Sequence, residues 1–221
     1  ISGDGRLARR PSPPHRQEST VKIAVLGAKI IGGTLARKWA RAGHAVMFGV
    51  RSVDNPETQA LAQELAASVG TVAEAIAFGE AVIFAIPGNA MEETIAAHGP
   101  ALNGKIVVDA ANRMGGGAMN SAAAFAAHAP GAQVYRAFNS LGWENFEDPM
   151  FGDIQADLLY CGPAGASRDA VEQLIRAVGL RPVCLGDLRQ IGLVDAVGSL
   201  WFALAFGQGM GRNLAFKVLT R

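Results

Sequence analysis

The segment Gly27-Ala28-Lys29-Ile30-Ile31-Gly32-Gly33 has glycine at the first and sixth positions of a G-x-G-x-x-G pattern. It follows the apolar run VKIAVLG and opens a stretch with helical spacing, the setting in which that pattern seats a pyrophosphate. The first glycine permits a tight turn, and the last lets the helix pack closely on the strand. The middle one lets the backbone approach phosphates that rest on outward-pointing amides at the positive helix end. Lys29 occupies that middle position. Either its side chain turns away and pairs with phosphate from the side, or its Cβ and backbone obstruct the diphosphate. A third reading is a βα turn that binds nothing.

Arg51 and Ser52 follow the next apolar run, HAVMFGV. An acidic residue there would bond the ribose hydroxyls of NAD. A guanidinium instead suits the 2′-phosphate of NADP, through paired charge-assisted bonds. Asp54 lies nearby, about one turn too late along the chain. The expected cofactor is NADP rather than NAD. No Ser-His-Asp set and no pair of carboxylates with a clear role is visible. Hydride transfer needs neither, because the cofactor carries the hydride while the protein aligns two rings and excludes water. Gly88 either keeps a strand end open for a flat ring or is a simple turn glycine. Asn139 either bonds the carboxamide or ring edge of a cofactor or caps a loop. Trp143 and Trp201 could line an acceptor pocket, although large aromatics more often belong to the core.

These residues need a scaffold of alternating strands and helices. VKIAVLG reads as a buried strand, and IGGTLARKWARAGH as a helix ended by Gly43. HAVMFGV is a strand, and Pro56 to Ala67 a helix capped by Asn55. AVIFAIP is a strand, Ala90 to Ala97 a helix, KIVVDA a strand, Asn120 to Ala127 a short helix and QVYRAF a strand. The alternation predicts an α/β, Rossmann-type, doubly wound and mostly parallel sheet over residues 20–140. After about Leu141 the rhythm changes. GWENFEDPMFGD reads as a loop with one helical turn, DLLYCG as a strand, Ser167 as the cap of a helix to Val178, and LRPVCLG as a strand. The remainder reads as mostly helical. Residues 141–221 are expected to form a smaller α/β portion serving substrate and dimerisation.

Half the chain of 221 residues is hydrophobic and 18 % is charged, so a sizeable core can form. A net charge of +1 and the lack of a basic stripe argue against nucleic acid. Cys161 and Cys184 sit in no metal-ligand pattern; a disulfide between them stays open, but free thiols in a reducing, cytoplasmic setting are favoured. The four histidines are scattered, and no metal is expected. Residues 1–19 have no apolar core, and Arg9-Arg10 is followed by proline, so a disordered tail is expected rather than an export signal. The apolar stretch Ile191 to Met210 is expected to be a buried or dimer-interface helix and not a membrane span.

VKIAVLGAKIIGGTLARKWARAGHAVMFGVRS, AVIFAIP, KIVVDAAN, YRAFNSLGWENFEDP, DLLYCG and GQGMGRNLAFKVL together resemble the family of NADP oxidoreductases that depend on the deazaflavin coenzyme F420. The likeness runs from about Val21 to the C-terminus. The AFNSLGWEN and GQGMGRNLAFK segments are its more specific parts. The reductase domain of the STEAP metalloreductases is a more distant likeness. The resemblance implies hydride transfer between NADP(H) and a deazaflavin or flavin-like acceptor, and it points the same way as the apolar C-terminal helices, to a homodimer. It implies a cofactor site at Gly27, Ala28, Lys29, Ile30, Ile31, Gly32, Arg51, Ser52, Ile86, Pro87, Ala110, Ala111 and Asn112. It places Asn139, Ser140 and Leu141 beside the reacting rings. Arg113, Arg136 and Arg212 are candidates for an anionic acceptor tail. The sequence departs from the family at Lys29, at Ile30, where a polar residue is frequent, and at Val50, where some members carry serine. The broken glycine motif at Lys29 and Ile30 favours the rival reading of a non-catalytic dinucleotide-binding or sensor protein, whereas the specific C-terminal match favours the reductase.

Overall fold

The structure, a computed structural model, describes residues 20–221, so the expected tail lies outside the described residues. Six parallel strands form the central sheet: β1 (Lys22–Leu26), β2 (Ala45–Gly49), β3 (Ser68–Gly70), β4 (Ala81–Phe84), β5 (Ile106–Asp109) and β6 (Gln133–Arg136). Their spatial order is β3-β2-β1-β4-β5-β6. The order reverses between β1 and β4, and ligands of open α/β sheets bind beyond the strand ends at such a switch point. The helices between them are α1 (Ile30–Arg41), α2 (Pro56–Glu64), α3 (Val72–Phe78), α4 (Met91–Leu102) and α5 (Ala122–His128).

Alternation along the strands shows that both faces are covered. Ile23 and Val25 of β1, with Ala81 and Ile83 of β4, join one apolar cluster with Leu35 and Trp39 of α1. Ala24, Leu26, Val82 and Phe84 join a second cluster with Ile76, Ile95 and Phe125 on the opposite face. Successive side chains of a strand point to opposite faces, so a strand covered twice reads as a continuous apolar run. That is why VKIAVL and AVIF lack polar alternation.

Local chemistry closes the helices. Gly43 takes φ +87° just past α1, and the Asn55 side chain accepts from the Thr58 amide at 2.9 Å to cap α2. Thr71 and Glu74 form a reciprocal capping box that starts α3. The short β3 and α3 were not predicted, being three and seven residues long with little apolar rhythm. Helix α4 runs past the expected Ala97 to Leu102, with Pro100 inside its last turn.

The C-terminal portion continues with α6 (Glu144–Glu147), a small hairpin of β7 (Met150–Phe151) and β8 (Ile154–Gln155), then β9 (Asp157–Tyr160), α7 (Ala166–Val178), β10 (Arg181–Cys184) and α8 (Ile191–Phe202). β9 and β10 pair in parallel, and Arg136 and Cys161 join their sheet to β6 through a two-bond bridge. Trp39 anchors α7 by donating its indole N–H to the Leu174 carbonyl at 2.9 Å. Two expectations are corrected here. Gly165, at φ +102°, and not Ser167, precedes α7; the Ser167 hydroxyl shares a 2.7 Å hydrogen bond with that of Tyr135. The chain after Gly207 is not helical. It returns as an extended segment in which Phe216 bridges Asp157. Cys161 and Cys184 are both free thiols, and burial pushes Cys161 up to about 11.

Helix α8 does not disappear into the core. The helical segment Leu188–Gly207 has a mean hydropathy of 1.4, is long and apolar enough by length and composition to cross a membrane, and is 22 % buried. Val194, Gly198, Trp201 and Ala205 face inward, while Leu193, Leu200, Phe206 and Met210 are exposed.

Candidate functional site

The cofactor-site and ring-positioning residues expected from the sequence follow the C-terminal ends of strands β1, β2, β4, β5 and β6. Parallel strands bring those ends to one edge of the sheet, and the loops there touch in sequence.

The glycine turn has the geometry its residue types predict. Gly27 takes φ +96°, and a Cβ on it would lie 2.6 Å from the Ala85 carbonyl oxygen and 3.2 Å from Ile86 Cγ2. Its amide donates to the Gly49 carbonyl at 3.0 Å, which joins the turn to the end of β2 and so to Arg51 and Ser52, both exposed. A Cβ on Gly32 would meet the Gly27 carbonyl oxygen at 2.0 Å. Gly33 packs on Leu61, where a Cβ would lie 3.2 Å from Cδ2.

Lys29 is the extended N-cap residue of α1, and its carbonyl accepts from the Gly33 amide at 2.7 Å. No side chain caps α1 and no acidic residue lies in its first turn, whereas Asn55 and Thr71 cap α2 and α3. The first-turn amides and the positive helix end are thus left for an anion. Lys29 is exposed, with no hydrogen bond to its ammonium among the described residues. Ile30 is also exposed, at 62 %.

The loops after β4 and β5 lie in direct contact. A Cβ on Gly88 would fall 2.3 Å from the Asn112 carbonyl oxygen, so that position is glycine because another backbone presses on it. Asn112 Nδ2 donates to the Asn139 carbonyl at 2.8 Å. A continuous row therefore runs from Gly27 past Ile86 and Gly88 to Asn112 and Asn139. Pro87 is exposed on that row, while Ala110 and Ala111 are buried beneath it. Asn139, Ser140 and Leu141 are buried, and Leu141 belongs to the main core. Two side-chain oxygens here, Asn139 Oδ1 and Ser140 Oγ, have no hydrogen-bond partner among the described residues, although buried polar atoms are nearly always paired. Immediately before them Phe138 holds φ +61°, the left-handed region that a bulky residue seldom enters. Strain of this kind, about 1–3 kcal/mol, persists where surrounding structure imposes it. Here Phe138 is packed edge-on against both Trp39 and Phe146.

Beneath Asn112 and Asn139 lies a charged cluster in which the sequence had marked only Arg136; its partners Asp109 and Asp195 were missed. Arg136, at the end of β6, is completely buried. Its Nε donates to Asp195 Oδ1 at 2.8 Å and its Nη2 to Asn112 Oδ1 at 2.7 Å. Its Nη1 donates to the carbonyls of Asp109 and Ala111 and lies 3.1 Å from Asp109 Oδ1. Asp109 also accepts from the amides of Ala111 and Ser121. Burial raises its carboxyl above the usual range, against the opposing pull of Arg136 and those amides. Asp195 also accepts from Asn120 Nδ2 at 2.7 Å and from Asn139 Nδ2 at 3.5 Å. A signal for this group existed: Asp195 is the single charged residue between Ile191 and Gly207, and Asp109 ends an otherwise apolar strand.

This arrangement removes two of the three arginines considered for an acceptor tail. Arg136 is consumed by Asp109 and Asp195. Arg212 bonds Glu144 and lies over the rings of Trp201 and Phe206, at 5.5 and 5.7 Å. Arg113 remains exposed. Trp201 is core, with its N–H donated to the Leu214 carbonyl at 2.7 Å; Trp143 is half-buried at the start of α6.

The residues present fit a dinucleotide. The turn leaves no room for a Cβ at Gly27 or Gly32, the first turn of α1 is uncapped, and unpaired buried acceptors wait at the far end of the row. Fold and turn geometry define the class: a Rossmann-type α/β protein with a dinucleotide-type glycine turn. Residues 22–113 match the family described as NADP oxidoreductase coenzyme F420-dependent. The chain is 27 % identical over 202 residues to the metalloreductase STEAP3 of Rattus norvegicus, covering 89 % of this chain but only 39 % of that protein. Among solved structures, one assigned as an F420-dependent NADP-reductase from Arthrobacter sp. FB24 has a TM-score of 0.77 at 24 % identity, covering 90 % of this chain and all of the other. A reductive aminase of Aspergillus terreus in complex with NADPH and ethyl levulinate has a TM-score of 0.59 at 23 % identity, covering 85 % of this chain and 65 % of that one.

Proposed function

We propose that the protein transfers hydride between NADP(H) and a deazaflavin, coenzyme F420, or a flavin-like acceptor. The reading rests chiefly on the row from Gly27 through Ile86 and Asn112 to Asn139, laid across the switch point of a 3-2-1-4-5-6 sheet. In this reading the amides from Gly27 to Gly32 and the first turn of α1 bind the diphosphate, with the Lys29 ammonium beside it. Arg51 and Ser52 take the 2′-phosphate. Ile86 and Pro87 flank the middle of the cofactor. Ala110 to Asn112, with Asn139 to Leu141, border the nicotinamide end. Bound NADPH supplies the hydride; the chain's own part is to bind, to orient and to keep water out, so no titrating acid is required.

The test uses purified protein under anaerobic conditions. NADPH binding is titrated, and loss of reduced-nucleotide absorbance is followed with F420, then FMN and FAD, then ferric chelates. Turnover with the deazaflavin or a flavin is expected. Folded protein that ignores NADPH and NADP+ at millimolar concentration would overturn the assignment. A sensor role is the rival reading, favoured by exposed Lys29 and Ile30 in the phosphate turn. Binding without turnover on any of those acceptors would support it.

We also propose a cytoplasmic homodimer. The free thiols favour a reducing compartment. Leu193, Leu200, Phe206 and Met210 are large apolar side chains left exposed in and just after the C-terminal helical segment, as a contact with a second copy would require. Sedimentation at micromolar concentration should show a dimer, and a monomer would remove this part.

A further inference from the structure

We propose that Asp195 of α8 is a positioning residue for the nicotinamide end of the cofactor site, acting through Arg136 on Asn112 and directly on Asn139. The inference rests on the dinucleotide reading above. It starts from what each side chain can donate and accept. Asn112 has its oxygen facing the Arg136 guanidinium at 2.7 Å and its nitrogen on the Asn139 carbonyl at 2.8 Å. Both ends of that amide are spoken for, so its orientation follows from where the guanidinium lies. Arg136 is planar and fully buried, and two carboxylates grip it. Asp109 belongs to the next strand of the same sheet and is fixed with it. Asp195 comes from a helix 59 residues further along the chain, so of the two carboxylates it is the one that ties the guanidinium to a helix outside the sheet.

The same carboxylate orients Asn139. Asp195 Oδ1 lies 3.5 Å from Asn139 Nδ2, and a carboxylate accepts only from the nitrogen end of an amide. The amide oxygen is therefore turned away from Asp195, and it is the buried acceptor left without a partner. Helix α8 approaches this loop closely at a second point, because a Cβ on Gly198 would lie 3.4 Å from the Asn139 carbonyl oxygen. Asn120, held by the other oxygen of Asp195, fixes the far side of the loop after β5. One carboxylate thus registers the loops after β5 and β6 against α8. The adenosine end, at Gly27 and Arg51, shares none of these bonds.

That asymmetry supplies the test. Asp195→Asn, Asp195→Ala and Asp195→Glu are compared with wild type for binding of NADPH and of 2′,5′-ADP, a probe that carries the 2′-phosphate end without nicotinamide. Misplacing the second site by a fraction of an ångström is expected to weaken NADPH about tenfold or more. Binding of 2′,5′-ADP should change less than about twofold, and Asp195→Glu should recover part of the loss. Where the Asp195 variants do not fold, Asn120→Ala, which loosens the same carboxylate, is read in the same way with a smaller expected loss. Equal losses for both ligands, or none for either, would overturn the proposal. Wild-type protein that binds neither ligand would instead sink the dinucleotide reading.

Discussion

A β-carbon placed on Gly32 would lie 2.0 Å from the carbonyl oxygen of Gly27. No contact in a folded protein is that short, so the turn and the first helical residues are built around the missing atom. Gly32→Ala must push α1 away from β1. A loss of about 2–4 kcal/mol in stability is expected from such overpacking, with loss of NADPH binding in the fraction that still folds. Chemical denaturation and a nucleotide titration check both.

Lys29 stands at the N-cap with an exposed ammonium beside an uncapped helix end. If it pairs with phosphate from the side, Lys29→Ala should weaken NADPH about three- to tenfold, a loss of about 1 kcal/mol that shrinks as salt rises. Lys29→Gly should then weaken binding as well. Tighter binding by the glycine variant would show that the lysine obstructs the site.

Arg51 is exposed just beyond β2, whose last residue, Gly49, accepts from the Gly27 amide. Charge-assisted bonds to a 2′-phosphate contribute about 1.5–3 kcal/mol. Arg51→Ala should therefore weaken NADPH about 10- to 100-fold and leave NADH nearly unchanged. Equal losses for both nucleotides would refute a role on the 2′-phosphate.

Asp157 holds the C-terminal segment in place. Its oxygens accept from Arg181 at 2.7 and 2.6 Å, from Lys217 at 3.0 Å and from the Val218 amide at 2.7 Å. Burial pushes its carboxyl up, but the bonds from Arg181, Val218 and Lys217 outweigh it and hold the group below the usual range. A lowered folded value adds stability that is present above the unfolded value, about 3.9 for Asp, and is lost as pH falls through the folded one. Denaturation midpoints should therefore fall below about pH 4 in wild type and change less there in Asp157→Asn. The variant should cost about 2–3 kcal/mol at neutral pH, because its amide NH2 replaces one acceptor oxygen and leaves donors from Arg181, Lys217 or Val218 without an acceptor. An unchanged acid limb would show that Asp157 does not carry it.

The sheet and its first helices were legible because they are written in local terms. An apolar run ended by glycine, Gly43 after a helical stretch, and Asn55 before Pro56 each act within a few residues. Asn55 and Gly43 perform as their types predict. β3 and α3 were too short to show a period, and Ser167 was misread because a hydroxyl near a helix start resembles a cap when its real partner, Tyr135, is 32 residues away.

Taken alone, the amino-acid order determined the βα turn at Gly27, the arginine after β2 and the family likeness, since each depends on neighbours along the chain. Only the tertiary structure decided what Arg136 does. From the chain it is a cation available to a ligand; in the fold it is sealed between Asp109, 27 residues before it, and Asp195, 59 residues after. A buried guanidinium must find its carboxylates in three dimensions, and no spacing rule records that meeting.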